Sequence, residues 1–436
     1  MIQPILTIGP KAKLKGKANS MRRVVITGIG AVSPNGIGRE RFWKATQNGE
    51  SGVRRITRFD PSGFAVQVAG EVPDEFDEKK YVEVKDRPHV SRAVPLAAAS
   101  VAEALDDAGL DTHSMSRDQL RQIGVIVGSG GGSQDFTEEQ YRLYYTGHLK
   151  QCSVYTIPTS TIGTLASEVS MRFGLRGLSH IISTGCTSST DAIGYAFRHI
   201  RAGVLNTMVV GGVDAPIAPL ILRGFQLMRI MSTRWNHEPQ RASRPFSRDR
   251  DGFVIAEGSW FFIIEELEQA RARGAHIYGE VAGYGSTCEA YHRVRLEECG
   301  EEPARAIGLA LDEAGIPPSE VQYINYHGTS TELNDRIETR AVKLAFDGHA
   351  YRLAGSSLKS LIGHPQGACG AAGVAATLLA MRDGVVPPTI NVDEPDPECD
   401  LDYVPCPGRR LHIEHAVANC IAFGSKNSAL ALRRMS

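Results

Sequence analysis

The six residues Leu105-Asp-Asp-Ala-Gly-Leu110 return as Leu311-Asp-Glu-Ala-Gly-Ile316. Each copy reads as a helix end closed by glycine, the residue that accepts the left-handed conformation a helix C-terminus calls for. Each then leads into a short apolar run and a glycine turn, Ile123 to Gly128 and Val321 to Gly328. A second echo pairs two strand–turn–helix units: His180 to Ala202, with Cys186 at the turn, and Leu353 to Met381, with His364 at the turn. Chance could produce six matched residues, but not easily two echoes in the same order. The chain therefore reads as two similar α/β halves, 21–272 and 273–436, divided near Arg273–Ile277, with the candidate reactive groups at their junction.

The element pattern agrees. Arg23–Gly28, Ile123–Val127, Met208–Gly212, Trp260–Glu265 and Tyr278–Gly283 are short apolar runs of the kind that form buried strands. Val94–Ala108 and Asp191–Ala202 have helical spacing. Strands alternating with helices predict a layered α/β fold with mainly parallel strands.

Composition excludes several functions. With 436 residues, 48 basic against 49 acidic side chains and a net charge of −1, the chain has no basic excess for nucleic acid. No apolar run approaches the roughly 20 residues of a membrane span. The eight cysteines are sparse, and no pair has the Cys-x2-Cys spacing of a zinc site, so no metal is expected. Such cysteines fit a reducing, cytoplasmic setting. Residues 1–20, with Lys11, Lys13, Lys15 and Lys17 among small residues and no acid before Glu40, read as a flexible extension ahead of a body that begins at Met21.

The sharpest chemical candidate is Ser183-Thr-Gly-Cys-Thr-Ser-Ser189. Cys186 sits where a strand turns into a helix, where backbone N–H groups and the helix dipole favour a thiolate. The bland alternative is an inert buried cysteine. His327, in Tyr326-His-Gly-Thr-Ser-Thr331, and His364, in Leu358-Lys-Ser-Leu-Ile-Gly-His364, both lie at strand-to-loop junctions beside glycines, with Lys359 close to the second. A Cys with one His would also suit a papain-like protease, which needs neither two loop histidines nor a lysine. Gly128-Ser-Gly-Gly-Gly132 lacks the Gly-Lys-Ser/Thr ending of a phosphate loop, and Gly28-Ile-Gly30 lacks the third glycine of a dinucleotide fingerprint.

Together these motifs resemble those of the β-ketoacyl-acyl-carrier-protein synthases, the elongating enzymes of type II fatty-acid synthesis and their polyketide relatives. The resemblance runs over 21–436: Val24–Gly30 with Ser33-Pro34, the Cys186 motif, Ala242–Phe253, the His327 motif, the Lys359–His364 motif, and Asn419–Asn427 with Phe423-Gly424, all in family order. It implies a thiolase-like duplicated fold of five α/β/α/β/α layers. By position it implies that Cys186 takes an acyl group from acyl carrier protein. Cys186 and Phe423 N–H groups would form an oxyanion hole, with Phe423 as a gating aromatic. His327 and His364 would stabilise the enolate left when malonyl carrier protein loses carbon dioxide. Lys359 would orient and bias the charge around His364, and Thr329 and Thr331 would hold the phosphopantetheine arm. No cofactor of the chain's own is implied. A dimer with itself or with a related subunit is, and Ala215 to Met231 has the apolar character of its core. Two other readings stand beside this one. A chain-length-factor-like subunit would lack Cys186, and a CoA-dependent thiolase would use a second Cys as base.

The sequence also departs from the family pattern. Gly373 stands where elongating enzymes usually carry a Glu nine residues after His364, and Ala422 and Lys426 are unusual in the C-terminal loop. These departures suggest a specialised branch. Many relatives carry a bulky aliphatic at the position of Gly131, where it limits acyl-pocket depth. Gly131 either opens that pocket or supplies a positive φ.

Overall fold

The computed structural model describes residues 22–435; the extension expected over 1–20 lies outside the described residues. Ten strands carry the fold. In the first half they are β1 (Val24–Ser33), β2 (Ile123–Gly128), β3 (Ser179–Ile182), β4 (Thr207–Asp214) and β5 (Gly258–Glu266). In the second half they are β6 (Gly279–Cys288), β7 (Tyr323–Asn325), β8 (Ala354–Ser356), β9 (His415–Ala422) and β10 (Lys426–Arg433). The spatial order is β8-β7-β9-β10-β6-β1-β5-β4-β2-β3. Each half thus has its third, second, fourth, fifth and first strands in that order, and the halves meet first strand to first strand, Val24 opposite Val281.

The sheet is mixed, against the expectation of mainly parallel strands. Parallel pairing is confined to the second, third and fourth strands of each half. The fifth strand of each half runs antiparallel to both its neighbours. The cause is visible in the second half, where β9 and β10 are joined by the three residues Phe423–Ser425 and can only form a hairpin.

The principal helices are α1 (Ala93–Asp107), α2 (Gln134–Tyr145), α3 (Thr164–Phe173), α4 (Ser188–Arg201), α5 (Pro219–Leu227), α6 (Glu301–Ala314), α7 (Glu332–Phe346) and α8 (Cys369–Asp383). Three apolar cores define five layers. One lies between α1, α3 and the outer face of the first sheet, and one between α6, α7 and the outer face of the second. The largest lies between the sheets, around α4 and α8. Cys369 to Met381 is buried at every position, because α8 has a sheet on either side and no face left for water.

The sequence echoes mark the ends of α1 and α6, where Gly109 and Gly315 have φ of +66° and +62°. A third echo is legible only in the structure. Strand β1 lies so close to α1 that a Cβ on Gly28 or Gly30 would fall 2.1 Å from the carbonyl of Ala104 or 1.9 Å from that of Ser100. On β6, Gly283 and Gly285 meet Ala310 and Ala306 of α6 at 2.1 and 2.0 Å.

Candidate active site

Cys186 lies in a 3-10 turn, Gly185–Thr187, between β3 and α4. The Ser188 hydroxyl accepts from Thr184 N–H at 2.9 Å, and Thr187 donates to the Thr184 carbonyl at 2.9 Å, which closes the turn on itself. The sulfur is buried and receives the Phe423 backbone N–H. The expected resting thiolate is not what this setting favours. Burial and the neighbouring Cys369 and Asp214 push the thiol up, against the pull of Lys359 and the Phe423 N–H, so the resting sulfur holds its proton.

His364 Nε2 stands 3.2 Å from Cys186 Sγ. Its backbone is pinned to the segment after the Ala242–Phe253 motif: His364 N–H donates to Val254 at 2.7 Å, and Ala256 N–H donates to His364 at 3.0 Å. Phe253 stands edge-on to the ring at 5.6 Å. His364 Nδ1 has no hydrogen-bond partner among the described residues, so the ring proton stays on Nδ1 only while the Cys186 thiol faces Nε2.

His327 differs. Its ring lies 5.4 Å from that of His364, nearly perpendicular to it. Lys359 Nζ donates to the His327 carbonyl at 2.5 Å and lies 3.4 Å from Nδ1. An ammonium can only donate, so Nδ1 is the acceptor and the proton sits on Nε2. Lys359 therefore orients His327 through its hydrogen bonds, while its charge also acts on His364 as expected. Both imidazoles are neutral. Burial, with the Lys359 charge beside it, lowers both, His327 to about 3.

Cys186, His327, His364, Thr329, Thr331 and Phe423 all line one cavity of about 340 Å³. The two threonine hydroxyls are 2.9 Å apart. Gly131 is not in this lining. It borders a neighbouring cavity with Tyr141, Leu220 and Phe225, and Met228 lines both cavities. The positive φ belongs to Gly132 at +61°, not to Gly131. A Cβ at Gly131 would approach nothing nearer than the movable Gln134 amide oxygen, at 3.0 Å. Gly373 leaves no room for the absent side chain, since a Cβ there would fall 2.4 Å from Asn325 Oδ1. Ala422 is buried and packs on Gly185, while Lys426 begins β10 beyond the turn.

The sequence reading missed the buried acids that hold these loops. Glu338, on α7, accepts from His327 N–H at 2.6 Å, Gly328 N–H at 2.7 Å and Asn419 Nδ2 at 2.6 Å; burial pushes its carboxyl up to about 7. Asp214, at the end of β4, accepts from Ser129 Oγ and from the Gly130, Gly131 and Gly367 amides, and burial raises it to about 6. That occupancy is why the glycine loop is not a phosphate site. Arg250 reaches the Thr331 and Glu332 carbonyls at 3.1 and 2.9 Å and pairs with Asp396 at 2.7 Å, bracing the His327 loop from the other half. The available signal was Asn334, Asp335, Glu338 and Thr339, polar residues on the face of α7 that packs inward.

Comparison with known proteins agrees with this geometry. Residues 21–270 match the beta-ketoacyl synthase N-terminal domain and residues 278–393 its C-terminal domain. The chain is 41 % identical over 413 residues to 3-oxoacyl-[acyl-carrier-protein] synthase 2 of Synechocystis sp., covering 95 % of this chain and 98 % of that one. Among solved structures it resembles a type II PKS acyl-carrier protein in complex with its ketosynthase bound to the hexaketide. There the TM-score is 0.86 and the identity 35 %, over 96 % of this chain and 100 % of the other. It also resembles the ishigamide ketosynthase/chain length factor, with TM-score 0.87 and 32 % identity, over 96 % and 100 %. With a thiolase-like duplicated fold, a cysteine and two histidines on one cavity, and family domains matched across both halves, the chain belongs to the beta-ketoacyl synthase family.

Proposed function

We propose that the chain is a 3-oxoacyl-[acyl-carrier-protein] synthase that joins an acyl group carried on Cys186 to the two-carbon unit of malonyl carrier protein, in fatty-acid or type II polyketide elongation. The observation that carries the reading is the unequal setting of the two histidines around Cys186: His364 in contact with the sulfur through Nε2, with Nδ1 unpartnered among the described residues, and His327 held as an Nε2–H donor by Lys359.

In the first step Cys186 attacks the acyl thioester as its proton passes to His364 Nε2. The carbonyl oxygen, negative in the tetrahedral intermediate, is held by the Cys186 and Phe423 N–H groups. Collapse expels the carrier thiol, which takes the proton from His364. The acylated sulfur then has no proton to hold Nε2 as an acceptor, and His364 passes to its other tautomer, with the ring proton lost from Nδ1 and one gained at Nε2. Malonyl carrier protein follows along the cavity past Thr329 and Thr331. Its carboxylate leaves as carbon dioxide, and the enolate oxygen is held by Nε2–H of both histidines. The new carbon nucleophile attacks the acyl-Cys186 carbonyl. Cys186 thiolate leaves and takes up one proton, and the 3-oxoacyl chain departs on the carrier.

The partner surface is proposed on the same footing. Leu220 and Leu227 of α5, Tyr141 and Tyr145 of α2, and Ile157 are exposed, with Leu220 64 % and Tyr145 82 % accessible. Large apolar side chains gathered in this way mark an interface. A second copy, or a related subunit, would cover them and close the Gly131 cavity.

The test separates the half-reactions. His327→Ala should still form acyl-Cys186 while malonyl decarboxylation falls about 10²–10³-fold. His364→Ala should lose both. Wild-type decarboxylation in His327→Ala would overturn the assignment.

A further inference from the structure

Two cysteines that the proposed reaction does not use lie behind the site. Cys369 opens α8 and Cys420 sits within β9; both are buried. Their sulfurs are 3.5 Å apart, and Cys420 Sγ is 3.4 Å from His327 Nδ1. The three donor atoms lie within 4.8 Å of one another. One ion with metal–sulfur bonds of about 2.3 Å and a metal–nitrogen bond of about 2.0 Å spans donors at these separations. The Cys186 carbonyl, 3.3 and 3.1 Å from the two sulfurs, offers a further oxygen. Linear spacing hid this set, because the fold draws it from three separate segments. Strand β9, helix α8 and the Glu338 clamp on the His327 backbone hold it in place before any ion arrives.

We propose that Cys369, Cys420 and His327 Nδ1 form a site for a monovalent thiophilic cation of the Cu(I) class, which withdraws His327 from its role in condensation. Two thiolates and an imidazole are soft donors suited to such an ion. Coordination deprotonates both sulfurs, and any proton still on them passes to solvent. The two negative sulfurs, one monovalent ion and the Lys359 ammonium, 3.4 Å from His327 Nδ1, then sum to zero charge. A divalent ion would leave one positive charge uncompensated in a buried site, which is costly. The ion occupies the Nδ1 lone pair that Lys359 otherwise holds. The consequence for condensation rests on the function proposed above; the binding does not.

The test therefore reads binding. Reduced, full-length protein is titrated anaerobically against the coloured Cu(I)–bicinchoninate complex. Cys186→Ser, which removes the nearby Cys186–His327–His364 trio as a competitor, should still withdraw one equivalent of Cu(I). A Cys369→Ala/Cys420→Ser variant with an unchanged circular dichroism spectrum should bind at least tenfold more weakly, and Cys420→Ser alone serves if the double variant does not fold. Withdrawal that is lost in Cys186→Ser, or retained in full by both cysteine variants, overturns the site. Lys359→Met should raise affinity for Cd(II), read by its thiolate charge-transfer band, at least tenfold. An unchanged Cd(II) affinity overturns the charge argument for a monovalent ion.

Discussion

At the scale of single residues, the site depends on which groups can exchange protons and which cannot. Cys186→Ala should leave no acyl adduct at that position, checked by mass spectrometry after incubation with acyl carrier protein, while the fold persists. Glu338 makes a pH prediction. Its carboxyl is raised from 4.5 to about 7 by burial, so in that window the native state holds a proton that the unfolded chain has released. Its contribution to stability is therefore complete at the acid end and is lost as pH rises through 7. Glu338→Gln should flatten that part of the stability curve, measured by denaturant midpoints from pH 4.5 to 7.5; an unchanged slope would place the titration elsewhere. The glutamine amide also puts an N–H2 against one of the two backbone donors at His327 and Gly328, a loss of about 1–3 kcal/mol. That Cys186, His327, His364, Thr329, Thr331 and Phe423 would come together was legible in the sequence because their motifs are local. The acids that hold them were not, since a carboxylate on a helix reads as solvated until the fold shows what covers it. The contact of Lys359 with His327, beside its charge effect on His364, was hidden for a related reason. Five residues along the chain put it near His364, but its long side chain reaches across to the end of β7.

At the scale of elements, the duplication was legible because the helix ends and the strands after them kept their residue types. Strand direction was not, since an apolar run has the same pattern whether its neighbour is parallel or antiparallel. The shared close approach of each first strand to its helix was also hidden, because the glycines involved looked like turn residues. It is testable. Gly283→Ala would press a Cβ to within 2.1 Å of the Ala310 carbonyl and should destabilise the protein by about 3 kcal/mol, read as a lowered denaturant midpoint with unchanged m-value. Gly131→Ile should act differently. Its φ is ordinary and its surroundings yield, so stability should hold while the preferred acyl primer shortens. Each buried methylene displaced would count for about 0.8 kcal/mol, roughly fourfold in acylation rate. Equal loss with short and long acyl carriers would mean that the neighbouring cavity does not take the chain.

At the scale of the whole molecule, the partner surface proposed on the exposed faces of α2 and α5 can be tested directly. Leu220→Glu/Leu227→Glu should shift the mass in solution from dimer towards monomer, read by light scattering. A wild-type chain that is monomeric and active would remove the argument. The joining of the two halves has a further consequence, for the order in which the protein is made. Strand β1 is synthesised before its two long partners, β5 and β6, which follow more than two hundred residues later, while the two-residue strand Gly36–Ile37 can pair with Val32 and Ser33 at once. At about 5–20 residues per second the ribosome leaves most of that ten-residue buried strand without its long partners for roughly 10–50 s. Phe423, Cys420 and Asn419 emerge later still, on the hairpin that completes the second sheet. The nascent chain therefore carries an open edge along most of β1 through that interval, and a chaperone that shields it should raise the yield of folded protein.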